Sequence, residues 1–211
     1  MKTNSFFLSI FLASCLIGAL SGCFQAKSVQ QYTLSSAPSI QTLPQQVRPM
    51  TILIGPVKVA SYLDQPRMVK RYRATRIDTI PGREWAGDLA EMISNQLVAD
   101  VGSLLKPSPV YPYPVTLAGI EGRRAAIDIL RFEGSEDKTA TIEARWFLFD
   151  LQDKSIIKTH SSMFHVPLAD DSYESLATAL SQGLTLLSRE IAEAAISSEK
   201  INKTADPRTK E

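Results

Sequence analysis

Reactive side chains are few in this chain, and their spacing limits what they can do. Its two histidines are His160 and His165. They fall in a stretch with strand character and have opposite parity. They therefore point to opposite faces and do not converge on one metal ion. No His-x-His or His-Glu-x-x-His spacing occurs. Asp170 and Asp171 stand just before a long apolar-periodic segment, where a helix needs a cap, so they read as capping groups. No Gly-x-Ser-x-Gly elbow and no phosphate-cradling glycine loop is present, and residues 119–124 (GIEGRR) read as a plain loop. What remains is electrostatic. Arg67, Lys70, Arg71, Arg73 and Arg76 cluster around Met68 and Tyr72. On a strand, Arg71 and Arg73 share one face while Lys70, Tyr72 and Arg76 share the other. The cluster is either a solvated hairpin or a contact to an acidic partner or to anionic lipid head groups. Arg67, Lys70, Arg71 and Arg73 are the candidate contact residues. These residues point to no enzyme activity, no metal and no cofactor.

The two cysteines are Cys15 and Cys23. Both belong to the N-terminal segment. Lys2 is followed by an apolar run over 6–20 of about 15 residues, short of the ~20 a spanning helix needs, and small residues close it. This is the layout of a secretory signal peptide over 1–22. Its exit, Leu20-Ser21-Gly22-Cys23, resembles the lipobox of bacterial lipoproteins. That resemblance implies cleavage before Cys23, a lipid on its thiol and an acyl group on its amine. Cys15 then leaves with the signal, so no thiol is free for chemistry in the mature chain. Charge balances too. The full chain has 23 basic and 22 acidic residues, and losing Lys2 leaves 22 of each. A neutral protein gives no global electrostatic argument for nucleic-acid binding.

The elements that must position these residues follow from periodicity. Residues 23–49 are polar and rich in Gln, with Pro38, Pro44 and Pro49, and read as a tether. Tyr32-Thr33-Leu34 is a possible strand in it. If that strand docks, the free tether over 24–31 reaches at most ~28 Å at ~3.5 Å per residue. Residues 50–199 have the length of one domain with a sizeable core. A β-rich run over 51–60 contains Gly55-Pro56, which predicts a bulge or an edge. A turn over 61–67 leads to an extended pair over 68–80, ended by Pro81-Gly82. Trp85, Leu89, Met92, Ile93, Leu97, Val101 and Leu104 predict a helix over 84–105, with Glu84 and Asp88 at its positive end and Gly102, Pro107 and Pro109 marking its close. Residues 110–115 are proline-limited, an edge strand at best. A meander follows over 124–133, 139–149 and 155–166. In its middle strand Ala140, Ile142, Ala144, Trp146 and Leu148 face the core. Phe147 and Phe149 then face outward and call for a cover. The last helix starts with Asp171 and Glu174 as a capping box. Its seam of Tyr173, Ala177, Leu180, Leu184, Leu187, Ile191 and Ala194 is widened by Leu176 and Leu186, which favours packing on a sheet. Residues 200–211 are charged, contain Pro207 and read as a disordered tail. The expected fold is α+β: one domain with a mixed or antiparallel sheet of about five to six strands under two main helices.

These stretches, taken together, resemble a known family, the ABC-type transport auxiliary lipoproteins of the PqiC-like intermembrane transport group. The resemblance rests on Ile52 to Val57 leading to Ala60 to Arg67, on Glu84-Trp85-Ala86 and on Tyr111-Pro112-Tyr113-Pro114. Further along it rests on Ile127 to Gly134, on Glu143 to Trp146 and on Leu180 to Ala192. Gly87-Asp88 departs from the Glu-Pro pair expected there. The resemblance implies a non-enzymatic lipoprotein of the Gram-negative envelope. It implies a PqiB-like MCE-domain protein and a PqiA-like inner-membrane protein as partners, in lipid transport between two membranes. It also implies a homo-oligomeric ring. Phe24 after the lipidated cysteine, rather than Asp, implies the outer membrane, facing the periplasm. The competing reading is a monomeric periplasmic lipoprotein that binds a lipid or an envelope polymer in its own pocket.

Cys23→Ser is expected to abolish labelling by radioactive fatty acid and to release the chain from the membrane fraction. Normal label in the variant would contradict lipidation at this cysteine.

Overall fold

The computed structural model describes residues 28–36, 40–44, 49–115 and 121–205, with side chains to 197. The signal segment, Cys23, much of the tether, part of the 119–124 loop and residues 206–211 lie outside the described residues. Among the described residues, eight strands and two helices follow in the order β1 (Gln30–Tyr32), β2 (Thr51–Val59), β3 (Arg67–Arg73), β4 (Arg76–Trp85), α1 (Leu89–Leu104), β5 (Val110–Pro112), β6 (Gly122–Ser135), β7 (Thr139–Asp150), β8 (Ile156–Pro167) and α2 (Tyr173–Ala205). The strands form one mixed sheet. The fold is α+β, as expected. The higher strand count comes from two three-residue strands at the sheet margins and from the hairpin that splits the 68–80 pair.

Long β6 is the spine. One of its edges pairs with β7 in antiparallel fashion along nearly its whole length. The other edge pairs with β2 in parallel over Thr51 to Val59, and then with β3 at Lys70 and Arg71 alone. Outside β3 lie β4 and then β1; outside β2 lies β5; outside β7 lies β8. Between Ile54 and Val57, β2 advances one residue more than β6. The Gly55-Pro56 pair therefore sits in a bulge of a strand paired on both sides, and β5 is the edge strand.

Both helices pack on one face of the sheet, α1 against β2 and α2 against β6, β7 and β8. That face carries Ala140, Ile142, Ala144, Trp146 and Leu148, all fully buried. The alternation in β7 reads as expected. Gly183 lets α2 approach β7: a Cβ there would lie 2.1 Å from Ile142 Cδ1. The helices meet across a polar seam. Asp100 Oδ2 accepts from Thr185 Oγ1 at 2.9 Å and from Gln96 Nε2 at 3.3 Å, and Gln96 Nε2 also donates to the Ser181 carbonyl at 2.8 Å.

Several boundaries differ from expectation. β4 continues through Pro81-Gly82 to Trp85, with Gly82 at φ 71°. Trp85 is thus a strand residue whose ring meets Phe132 at 5.8 Å, and Glu84 lies in the sheet. The first helix starts after Asp88, whose carboxylate accepts from the Glu91 amide at 2.8 Å. Gly102 lies inside that helix. β1 starts two residues earlier than Tyr32-Thr33-Leu34 suggests, because its register opposite Arg83 to Trp85 is set by β4. The second helix is capped by Ser172, not Asp171: Ser172 Oγ accepts from the Ser175 amide at 3.0 Å. Asp170 braces the Ser172 amide, and Asp171 reaches out to Lys138. Leu176 is buried, but Leu186 is exposed. The helix runs on to Ala205, past the boundary drawn at residue 199.

Trp146 is fully buried, and its indole N–H donates to Ser162 at 3.0 Å. Trp146→Ala is expected to destabilise the domain by about 3–5 kcal/mol in chemical denaturation. A loss under about 1 kcal/mol would contradict this packing.

Candidate docking surface

The basic cluster lies on the β3–β4 hairpin, and what organises it is an acid on the neighbouring strand. β6 holds one extra residue between Ile129 and Arg131. This bulge shifts the alternation, so that Arg131 and Glu133 emerge on the sheet face opposite the helices. The Glu133 side chain is wholly buried there. Its Oε1 receives Arg131 Nε at 2.9 Å and also Arg71 Nε. Its Oε2 receives Arg71 Nη2 at 3.2 Å and the Tyr62 hydroxyl at 2.9 Å. The same hydroxyl lies 3.1 Å from the Leu130 carbonyl. One carboxylate thus ties the 61–66 turn, β3 and β6 together.

The protonation states follow. Burial alone would push the Glu133 carboxyl up. Hydrogen bonds from Arg71, Arg131 and Tyr62 outweigh it and hold the group below the usual carboxylate range. The Tyr62 hydroxyl is pushed up to about 12, first by burial and then by its bond to Glu133. Arg71 is raised, chiefly by the hydrogen bond to Glu133.

The structure therefore divides the candidate contact residues. Arg71 is turned into the sheet and belongs to the Glu133 cluster. Lys70 stays on the other face as expected, with its ammonium 5.6 Å from the Tyr72 ring centroid; Arg76 stacks on the same ring at 5.0 Å. Arg76 also pairs with Asp78 at 2.6 Å. Arg73 is exposed beside the turn and has no ion-pair partner among the described residues. Arg67 stands at the far end of β3, opposite Glu84, six residues and roughly 20 Å from Arg73. Arg73 is the exposed cation at the hairpin tip, Lys70 is half-buried along β3 opposite Asp78, and Arg67 belongs to another part of the surface. Cys23 lies outside the described residues.

Tyr62, Arg131 and Glu133 lie in the stretches that carry the family resemblance but were not among the candidate contact residues. The signal was available in Leu130-Arg131, where the strict alternation of 125–129 breaks. His160 and His165 do occupy opposite faces. The His160 ring lies 5.5 Å from Trp146, and His165 Nδ1 lies 3.2 Å from Thr141 Oγ1. Phe149 has its cover within the chain: the Arg124 guanidinium lies 4.3 Å from its ring centroid and 4.8 Å from that of Tyr113.

Glu133→Ala would take from Arg71 and Arg131 the carboxylate they share and is expected to cost up to about 3 kcal/mol, because both guanidinium groups keep partial contact with water. Glu133→Gln gives the pH test. Because the folded carboxyl titrates below its unfolded value, its contribution is complete above the unfolded pKa of about 4.3 and fades as pH falls through the folded one. Wild type should therefore lose more stability than Glu133→Gln between about pH 5 and pH 2. Parallel acid profiles would contradict the charged cluster.

Comparison with known proteins agrees with this architecture. The family model described as "ABC-type transport auxiliary lipoprotein component" matches residues 32–192. No curated protein matches the chain. Among solved structures, protein XCC0632 from Xanthomonas campestris is similar, with TM-score 0.67 and 18% identity over 83% of this chain and 100% of that one. A second, titled only as an uncharacterized protein, is similar with TM-score 0.62 and 20% identity over 74% of this chain and 98% of that one. At these identities the structures speak for the fold alone. The family match spans β2 to β8, α1, the larger part of α2 and the Glu133 cluster, and by it the chain belongs to the ABC-type transport auxiliary lipoprotein components.

Proposed function

We propose that this lipoprotein is a non-enzymatic docking component of an MCE-type lipid transport complex of the Gram-negative envelope. In this reading it is lipidated at Cys23, held in the outer membrane and faces the periplasm. It assembles as a homo-oligomeric ring that receives a PqiB-like MCE-domain protein, itself joined to a PqiA-like protein of the inner membrane. The observation that carries the reading is the family match across residues 32–192. The site geometry supports it. The buried acid of the basic region serves as structural cement between strands, with both oxygens occupied by neighbours. What the hairpin leaves outside is a small set of surface cations beside an aromatic ring, suited to contact.

The tether supports a position close to the membrane. β1 begins at Gln30, seven residues after Cys23. At ~3.5 Å per residue the lipid would sit within roughly 25 Å of the sheet.

Co-expression of the full chain with the MCE-domain and inner-membrane proteins tests the reading. Purified in detergent, the three should co-migrate, with a light-scattering mass several times that of one lipoprotein chain. Migration of the lipoprotein alone as a monomer would contradict it and favour the monomeric binding lipoprotein. Lys70→Glu with Arg73→Glu should weaken association, more at low than at high salt, while the melting temperature stays nearly constant, because exposed charges add only about 0–1 kcal/mol per pair to stability. Unchanged association in a folded double variant would leave the hairpin tip as plain solvated surface.

A further inference from the structure

The margins of the sheet are unequal. β1 and β5 are three-residue strands, and β5 ends on Pro112. β8 is twelve residues long and, among the described residues, pairs only with β7. Its free edge presents a row of backbone donors and acceptors, with Pro167 only at its end. Beside that edge runs a groove. Its wall is a stripe of α2, Leu186, Glu190, Glu193 and Ser197, which share one side of the helix by their spacing. Its floor at one end is Lys158 and His160, which line a cleft of about 550 Å³ with Glu190 and Glu193. Towards the other end, Phe164 and Val166 are half-buried on the same face of β8, and Leu186 is exposed on the α2 stripe one turn before Glu190, which Ser162 holds. Lys158 is drawn to the Trp146 ring, 5.4 Å from its centroid, and Glu190 is braced by Ser162. Glu193 is exposed and has no ion-pair partner among the described residues.

We propose that the β8 edge and this groove form a docking site for an extended segment of a partner protein, added to the sheet as a further strand. Backbone pairing with β8 supplies affinity, and alternate side chains of the segment enter the groove. The lining sets their chemistry: an apolar residue against Leu186 and Phe164, and a Lys or Arg against Glu193. A second copy of this chain fits poorly. Neither three-residue strand matches the length of β8. An antiparallel β8–β8 pair would set the two tether exits at opposite ends, because β1 enters at the end where β8 finishes. One membrane would reach both anchors only if the sheet lay face-down on it, and that face carries Asp128, Glu143 and Arg145. The proposal names a surface for the partner contact proposed above, and the two readings can fail separately.

The test uses the full lipidated chain in detergent. One probe is a random library of twelve-residue peptides; the other is a set of peptides tiling the MCE-domain protein. Selected binders should alternate apolar and polar residues and include a Lys or Arg. A binder should slow hydrogen exchange at alternate β8 amides and leave β1 and β5 unchanged. Leu186→Glu and Glu193→Lys should each weaken it about ten-fold or more, at unchanged melting temperature. Absence of any binder, or binders that protect other amides, would overturn the proposal. So would β8 amides that become protected with rising protein concentration and no peptide, since the occupant would then be a second copy. Library binding at β8 without any MCE tile would keep the groove and count against the MCE partner. Co-purification of the MCE protein with β8 amides still exposed would do the reverse.

Discussion

The fold depends on a carboxylate that has no contact with solvent. β3 pairs with β6 through its backbone at only two residues, Lys70 and Arg71, and beyond that β3, β4 and β1 are joined to the spine by side-chain packing such as Trp85 on Phe132. Two backbone registers are a thin hinge for three strands. Glu133 reinforces it from the side by gripping Arg71 of β3, Arg131 of its own strand and Tyr62 of the preceding turn. Burying a carboxylate is costly unless its oxygens are filled with good geometry, and here both are. Breaking the set is correspondingly expensive, which makes the junction stiff.

That stiffness has a structural consequence. β1 carries the tether into the domain and is the outermost strand beyond β3 and β4. Force entering through β1 reaches the core across β4 and β3 at the Glu133 junction, and also through Trp85 on Phe132 and through Arg83 over the Tyr173 ring of α2. The long free strand β8 lies on the opposite side of β6. Anchor and open edge are thus at the two lateral extremes of one sheet, with β6 between them. Under the docking role proposed above, such rigidity would keep a partner at one edge in a fixed relation to the membrane at the other.

Much of the fold was legible where one physical rule dominates. β7 alternates because one face is buried under α2, and every expected core residue of it is buried. The proline-limited β5 is an edge strand because Pro112 removes a ladder donor. The sequence was harder to read where tertiary contacts override local signals. Pro81-Gly82 reads as a terminator, yet β4 runs through it, supported by β1 over Arg83 to Trp85. Trp85 fits a helical stripe by spacing but packs on Phe132 from the sheet. Ser172 displaced Asp171 as cap because its hydroxyl, not the carboxylate, lies where the Ser175 amide points. The site was half legible. The basic cluster stood out by composition, but Arg71 could be told from Arg73 only through Glu133, sixty-two residues away in sequence. The parity shift that brings Glu133 to it depends on a bulge, which pattern alone registers as a lapse.

The central claim is that the Glu133 junction makes the two strand groups one rigid body. Native-state hydrogen exchange on the anchored chain tests it most directly. The account predicts that amides of β3 and β4 open together with those of β6, at the free energy of global unfolding. If β3 and β4 exchange through an opening of much lower free energy while β6 and β7 remain protected, the sheet is two loosely joined parts and the account is contradicted.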